Sequence, residues 1–218
     1  RNLGVPQSVK ELTHKFEYNN IESLEKIFQE QELACVIMEP MNIEYPKDGF
    51  LKGVKELAHM NNALLILDET ITGFRYSLGG AQELFSVTPD LATFGKGMAN
   101  GYPLSAVVGS NEVMQKVEDI FFSGTFGGET LSLAAASKII DKYKKEQVIE
   151  HFSEVGSYLL EKLNQLINDK NLGDIFWTSG HPSWSFLHIK EQEKYNTFEI
   201  KTFFLQEMFK RGILTLGS

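Results

Sequence analysis

A single cysteine, Cys35, occurs in this 218-residue sequence, so no intramolecular disulfide can brace it and a reducing compartment fits best. No apolar run approaches the roughly 20 residues that cross a bilayer. No signal-peptide pattern opens the sequence and no Asn-x-Ser/Thr sequon interrupts it, so the expected location is the cytoplasm. Positive charge is not clustered either. Twenty-one Lys and Arg are scattered among 29 Asp and Glu, for a net charge of −8, which removes the electrostatic footprint that nucleic-acid binding needs. The five histidines, His14, His59, His151, His181 and His188, lack metal-ligand spacing. Gly95-Lys96-Gly97-Met98-Ala99-Asn100-Gly101 fits neither the Walker spacing nor the dinucleotide fingerprint, because no Lys-Ser/Thr pair closes it. Internal repeats and low-complexity segments are also missing.

What is present is a globular composition, 42% hydrophobic and 23% charged, in a chain long enough for one large or two small domains. Apolar spacing predicts helices over 20–31 and 50–61. Each leads into an apolar strand, 33–38 and 63–68, and helix alternating with strand is the pattern of α/β architecture. Further strands are expected at 91–94 and 104–108. All of these, including the stretch around Cys35, read as buried. Residues 113–117 are weakly helical, 124–128 form a glycine-rich loop, and the small-residue run 131–136 extends into a helix near Tyr143. A long amphipathic helix over 145–168 then bridges to a region of different character. There, strands 174–178 and 183–189 flank a Gly180-His181-Pro182 turn, Trp177 and Trp184 read as core, and a helix covers 198–211. Ile213, Leu214 and Leu216 begin what reads as a further strand. The opening at Arg1 and the close at Ser218 read as the ends of a piece of a longer protein.

The most informative pairing is an acid and an amine. The run Ala63-Leu64-Leu65-Ile66-Leu67 ends in Asp68, and residues at the carboxyl ends of parallel strands face the ligand crevice of an open α/β sheet. A second strand, Leu91-Ala92-Thr93-Phe94, delivers Lys96 to the same sheet edge between two glycines that permit close approach of a bulky ligand. Pyridoxal phosphate catalysis asks for this pair: an amine that forms a Schiff base with the cofactor aldehyde, and a carboxylate that keeps the pyridine nitrogen protonated. The plainer alternatives are a helix cap or salt-bridge partner for Asp68 and an exposed turn for Lys96.

Further motifs narrow the choice. Glu39-Pro40, Gly49-Phe50-Leu51, Leu67-Asp68-Glu69-Thr70-Ile71-Thr72-Gly73-Phe74-Arg75, Thr88-Pro89-Asp90-Leu91, Gly95-Lys96-Gly97 and Gly124-Thr125-Phe126 follow one another in an order that resembles the class III aminotransferases, closest to their glutamate-1-semialdehyde 2,1-aminomutase branch. The resemblance covers most of 4–163. It implies the pyridoxal-phosphate-dependent transferase fold of type I: a large-domain α/β sheet with helices on both faces, over 1–145 with its N-terminal part missing. A linker helix and an incomplete small α+β domain would follow over 146–218.

By the same resemblance, Lys96 is the Schiff-base lysine and proton carrier, Asp68 the partner of the pyridine nitrogen, and Thr70 the residue where relatives place a valine on the ring face. Thr125 matches a threonine that reaches the cofactor phosphate of a neighbouring subunit, which implies a homodimer. Glu69, Thr72 and Arg75 would hold their loop in place. The implied reaction moves an amino group between small amino and keto compounds, or between adjacent carbons of one molecule.

Three segments depart from the branch pattern. The loop between Pro40 and Gly49 is short, and Met98-Ala99-Asn100-Gly101-Tyr102 and Gly128-Glu129-Thr130 differ in sequence. The phosphate-gripping loop and the ring-stacking aromatic of relatives arise from sequence upstream of these residues. The competing reading is therefore a catalytically silent fragment, or a noncatalytic relative, that serves as a folded, associating domain. A Schiff-base aldolase is less apt, since it needs no acid paired with its lysine and commonly shows a barrel repeat.

Overall fold

The structure is a computed structural model that describes residues 3–215. The chain divides into two compact units, one comprising Arg1–Pro40 with Pro46–Asp141 and the other Met41–Tyr45 with Lys142–Ser218.

In the first unit, α1 (Gln7–Lys10) and α2 (Ile21–Glu30) precede β1 (Cys35–Met38). Next come α3 (Phe50–Met60), β2 (Leu64–Asp68), α4 (Ala81–Leu84) and β3 (Leu91–Phe94). A 3-10 turn (Lys96–Met98), β4 (Ala106–Gly109), α5 (Asn111–Met114), a second 3-10 turn (Gln115–Asp119) and, as far as Asp141, α6 (Thr130–Lys145) complete it. The strands lie side by side in the order β1-β2-β3-β4, the first three parallel and β4 antiparallel to β3. Asn20 caps α2 by accepting from the Ser23 N–H at 3.2 Å, an Asn role that offsets an orphan amide. Gly49, at φ 75°, opens α3 in a left-handed conformation that other residues adopt at a cost.

Strand alternation explains where the core sits. Val36 and Met38 of β1, with Leu65 and Leu67 of β2, are buried against Leu24 of α2 and Phe50, Leu51, Val54 and Ala58 of α3. Each of the larger of these side chains contributes about 1.5–3 kcal/mol on burial. The intervening residues point to the opposite face. Cys35 is therefore exposed and Ile37 is 59% exposed, so β1 is half-buried and not the fully buried strand that its composition predicts. At the sheet edge, β4 leaves Val107 and Val108, which point to opposite faces, each 45% exposed where a buried strand was expected. A second cluster gathers Met98, Ala99 and Ala136 with Phe74, Phe94, Leu104, Ala106 and Ile140.

The start of β3 is fastened by Asp90. Its Oδ2 accepts the Leu65 N–H at 2.7 Å and lies 2.8 Å from His59 Nε2. Burial pushes the Asp90 carboxyl up, but the hydrogen bonds from His59 and Leu65 and the charges of His59 and Lys55 outweigh it and leave its pKa below the ordinary value.

The second unit holds α7 (Val148–Asp169), the hairpin β5 (Phe176–His181) and β6 (Trp184–Ile189), and α8 (Thr197–Lys210). The helical run expected from 145 is broken between α6 and α7, around Glu146 and Gln147. The hairpin pairs His181 with Trp184, so the turn is Pro182-Ser183, one to two residues later than expected, with Gly180 inside the strand at φ +89°. Gly156 lets α7 approach that turn: a Cβ there would fall 2.0 Å from the Pro182 carbonyl oxygen. Trp177 is 46% exposed, stacked on His188 with centroids 4.9 Å apart, and is not a core residue. A capping box between Asn196 and Glu199 starts α8. Of the strand expected after Arg211, Ile213 and Leu214 have no regular structure and Leu216 lies outside the described residues. Among the described residues no helix is long and apolar enough to cross a membrane.

Candidate active site

Two neighbouring strand ends build the candidate site. Asp68 is the last residue of β2, and the parallel register sets it beside Thr93 of β3. Lys96 follows just beyond β3, at the start of the 3-10 turn. Its φ of 39° is an unusual conformation for a residue with a side chain. Gly95, which precedes it, has no room for a side chain without pressing on Thr70, whose Cγ2 would be 3.3 Å from a Cβ. The Lys96 side chain is exposed, and it makes no hydrogen bond or ion pair with another described residue.

The loop after Asp68 is held from within. Glu69 is fully buried, an expensive place for a carboxylate unless it is hydrogen-bonded. It accepts from the Thr72 hydroxyl, from the Ala81 N–H at 2.8 Å and from the Gln82 N–H at 2.7 Å. The latter two are free amides at the start of α4, so Glu69 staples the loop to that helix. Gly80 permits the approach: it stands at φ +83°, and a Cβ there would lie 2.7 Å from Glu69 Oε2. Gly73 lies against the Phe94 ring, which a Cβ would meet at 2.4 Å, and Arg75 Nε donates to the Ile71 carbonyl at 3.0 Å. A Cβ on Gly97 would lie 3.4 Å from the Gly73 carbonyl oxygen, so the turn carrying Lys96 rests on the loop that follows Asp68.

Asp68 itself is partly buried and oriented. Its Oδ1 accepts the Thr70 N–H at 3.0 Å and the Thr93 hydroxyl at 2.8 Å. Burial pushes the Asp68 carboxyl up, yet the hydrogen bonds from Thr70 and Thr93 and the positive charge of Lys96 outweigh it and hold its pKa below the ordinary carboxylate value. The Thr70 and Thr93 hydroxyl oxygens are 3.5 Å apart. Asp68, Thr70 and Lys96 therefore converge.

Thr125 does not join them. It is exposed, in a turn closed by the Gly127 N–H on the Gly124 carbonyl at 3.0 Å, and no hydrogen bond links it to the other three. Sequence reading passed over Thr93 and took Asp90 only as part of a motif. The available signal for Thr93 was a lone hydroxyl in an otherwise apolar strand, opposite an acid once the strands are paired.

The aminotransferase class-III family model matches residues 3–194. The chain belongs to the class III aminotransferases. A 3-aminobutyryl-CoA aminotransferase from Cloacimonas acidaminovorans is 33% identical over 96% of this chain and 52% of its own length. A glutamate-1-semialdehyde 2,1-aminomutase from Methanothrix thermoacetophila is 39% identical over 78% of this chain and 41% of its own. Among solved structures, acetylornithine aminotransferase from Elizabethkingia anophelis superposes with a TM-score of 0.81 at 26% identity, over 94% of this chain and 52% of that one. The PLP internal aldimine form of the FumI protein from Sphingopyxis sp. MTA144 gives 0.87 at 22% identity, over 98% and 52%. The fold is that of type I aminotransferases, and the chain spans about half the length of the curated relatives it matches.

Membership in this family implies pyridoxal phosphate as the cofactor. The residues present fit it on one point of chemistry. Asp68 is an ionised carboxylate held in orientation through Oδ1 by the Thr70 N–H and the Thr93 hydroxyl, which suits a protonated ring nitrogen. Lys96 is an amine whose positive charge acts on that acid, without an ion-pair partner among the described residues.

Proposed function

We propose that the intact protein transfers an amino group, as an aminotransferase or as an aminomutase of the glutamate-1-semialdehyde type, with Lys96 and Asp68 as its catalytic pair. The observation that carries this reading is the Asp68 carboxylate, oriented by Thr93 and acted on by the positive charge of Lys96. When bound, pyridoxal phosphate supplies an aldehyde for covalent attachment and a ring that accepts electrons. Asp68 holds a proton at the ring nitrogen, and its lowered pKa keeps it anionic through the neutral range. Lys96 supplies the attaching amine and, once displaced by the substrate's amine, carries a proton to and from the substrate carbon. Glu69, Thr72 and Arg75 keep the loop between them in place.

The reading extends to assembly. Thr125 lies in a segment whose apolar side chains are exposed to water: Phe121 is 97%, Phe122 78% and Phe126 63% exposed. Exposed apolar groups in such density fit a surface that another protein chain covers. We take that chain to be a second copy, with Thr125 contributing to the neighbour's cofactor phosphate and Thr70 lying at the ring face. The first compact unit then serves as the cofactor-bearing large domain and the second as the beginning of the small domain. The exposed thiol of Cys35 suits a reducing cytoplasm.

The test is a half-reaction. Full-length protein loaded with pyridoxal phosphate is mixed with alanine, glutamate, 3-aminobutyryl-CoA or glutamate 1-semialdehyde, and its visible absorption is followed. A productive amino donor removes the band and a keto or aldehyde acceptor restores it. No response to any of these compounds would favour a noncatalytic relative.

A further inference from the structure

We propose that Thr93 is the positioning residue for Asp68, holding one carboxylate oxygen from the neighbouring strand so that the acid faces the ligand in a fixed rotation. The inference rests on the reading of Asp68 as the partner of a ring nitrogen. Its support is geometric. The parallel register sets Asp68 and Thr93 side by side on one sheet face. The Thr93 hydroxyl is 2.8 Å from Oδ1, and the Thr70 N–H meets the same oxygen at 3.0 Å.

An ionised carboxylate only accepts, so the single hydroxyl proton of Thr93 is spent on Asp68. The Thr70 hydroxyl lies 3.5 Å from the Thr93 hydroxyl oxygen, and its own proton is directed at Asp68. The Thr93 hydroxyl and the Thr70 N–H thus converge on one oxygen and fix the rotation of the carboxylate. Lys96 is the charged group that acts on Asp68 from the adjoining turn. Thr70 remains in place in every variant below, so the removal of Thr93's hydroxyl can be read separately.

The experiment compares Thr93→Val, Thr93→Ser and Asp68→Asn in full-length, cofactor-loaded protein. It measures kcat and KM, the pH dependence of the bound cofactor's visible band, and circular dichroism as a check of folding. Valine keeps the β-branched shape that strands favour and removes only the donor. Loss of a hydrogen bond to a charged acceptor corresponds to a kcat lowered roughly tenfold, with KM within about twofold. The acid limb of the band's pH profile should move up by about half a unit to one unit, because the ionised carboxylate has lost a donor. Serine should restore both to within about threefold.

In an Asp68→Asn background, Thr93→Val should have no further effect on the pH profile, which is the signature of action through Asp68. If Thr93→Val matches the unsubstituted protein in kcat and pH profile, or if serine is as impaired as valine, the positioning role is overturned. Should valine not fold, Thr93→Ala against Thr93→Ser decides by the same readouts, with equality overturning the proposal. An Asp68→Asn protein with full activity would instead remove Asp68 itself from its role, a separate failure.

Discussion

The loop from Asp68 to Arg75 and the segment from Phe121 to Gly128 belong to the same compact unit, and each carries a threonine assigned to the cofactor, yet they are built in opposite ways. The first is fastened from within. Glu69 is buried under three hydrogen bonds, Gly73 lies against Phe94, and the strand register fixes Asp68 beside Thr93. The second is held by two backbone bonds, from the Gly127 and Glu129 amides to the Gly124 and Phe126 carbonyls, and shows Phe121, Phe122, Phe126 and Thr125 to water. The contrast separates what a single chain organises for itself, the acid and the amine, from what the proposed dimer would complete.

The sharpest way to test the inner half is to remove its amine. Lys96→Ala in the full-length protein should lower turnover by roughly a thousandfold or more, since attachment and proton transfer are lost together. The fold should persist, because the side chain is exposed and unpaired with the described residues. Turnover and circular dichroism check the two halves of this expectation, and near-normal turnover would end the assignment.

Next in size is the staple. Glu69→Ala leaves the Ala81 and Gln82 amides without their acceptor and opens a space beneath the loop, so stability should fall by about 2–4 kcal/mol. The urea midpoint reads this. A change under about 0.5 kcal/mol, the usual range for surface sites, would mean that the loop is not held as described.

The outer half should respond differently. Phe121→Ser is expected to weaken self-association at least about tenfold in sedimentation, since a large apolar anchor is worth 1.4 kcal/mol or more at an interface. Secondary structure should be unchanged, because Phe121 is 97% exposed within the chain. A variant that unfolds instead, or that associates normally, would contradict the comparison.

The smallest effect expected is one of pH. Asp68 and Asp90 both have folded pKa values below their unfolded ones. Their contribution to stability is therefore full above the ordinary carboxylate pKa of about 3.9, and it is lost as pH falls through the lower folded values. Thermal midpoints should decline from about pH 4 downward, and Asp90→Asn should remove part of that slope. An unaltered slope would take Asp90 out of the clamp on β3.

Much of the inner half was legible in the sequence, for identifiable reasons. The apolar run before Asp68 is long enough to read as a strand, glycines mark Gly95 and Gly97 as a turn, and helical spacing located α2 and α3 to within a residue or two. Depth was harder to read. The run around Cys35 is uniformly apolar, yet alternation turns Cys35 and Ile37 away from the core, and β4 lies at the edge and runs antiparallel. Partnership across strands was hardest. Thr93 gains meaning only once the register sets it beside Asp68, and the Asp90 pairing joins a helix end to two strands far apart in sequence. Thr125 was reached through family resemblance, since a hydroxyl in a glycine turn has no local mark of function.

The central claim is that Lys96 is the residue that holds the cofactor. Full-length protein loaded with pyridoxal phosphate, reduced with borohydride and digested for peptide mapping, tests it most directly. The expected result is a single labelled peptide carrying the modification on Lys96, with no label in Lys96→Ala. A label on another lysine, or equal labelling of the variant, would contradict the account.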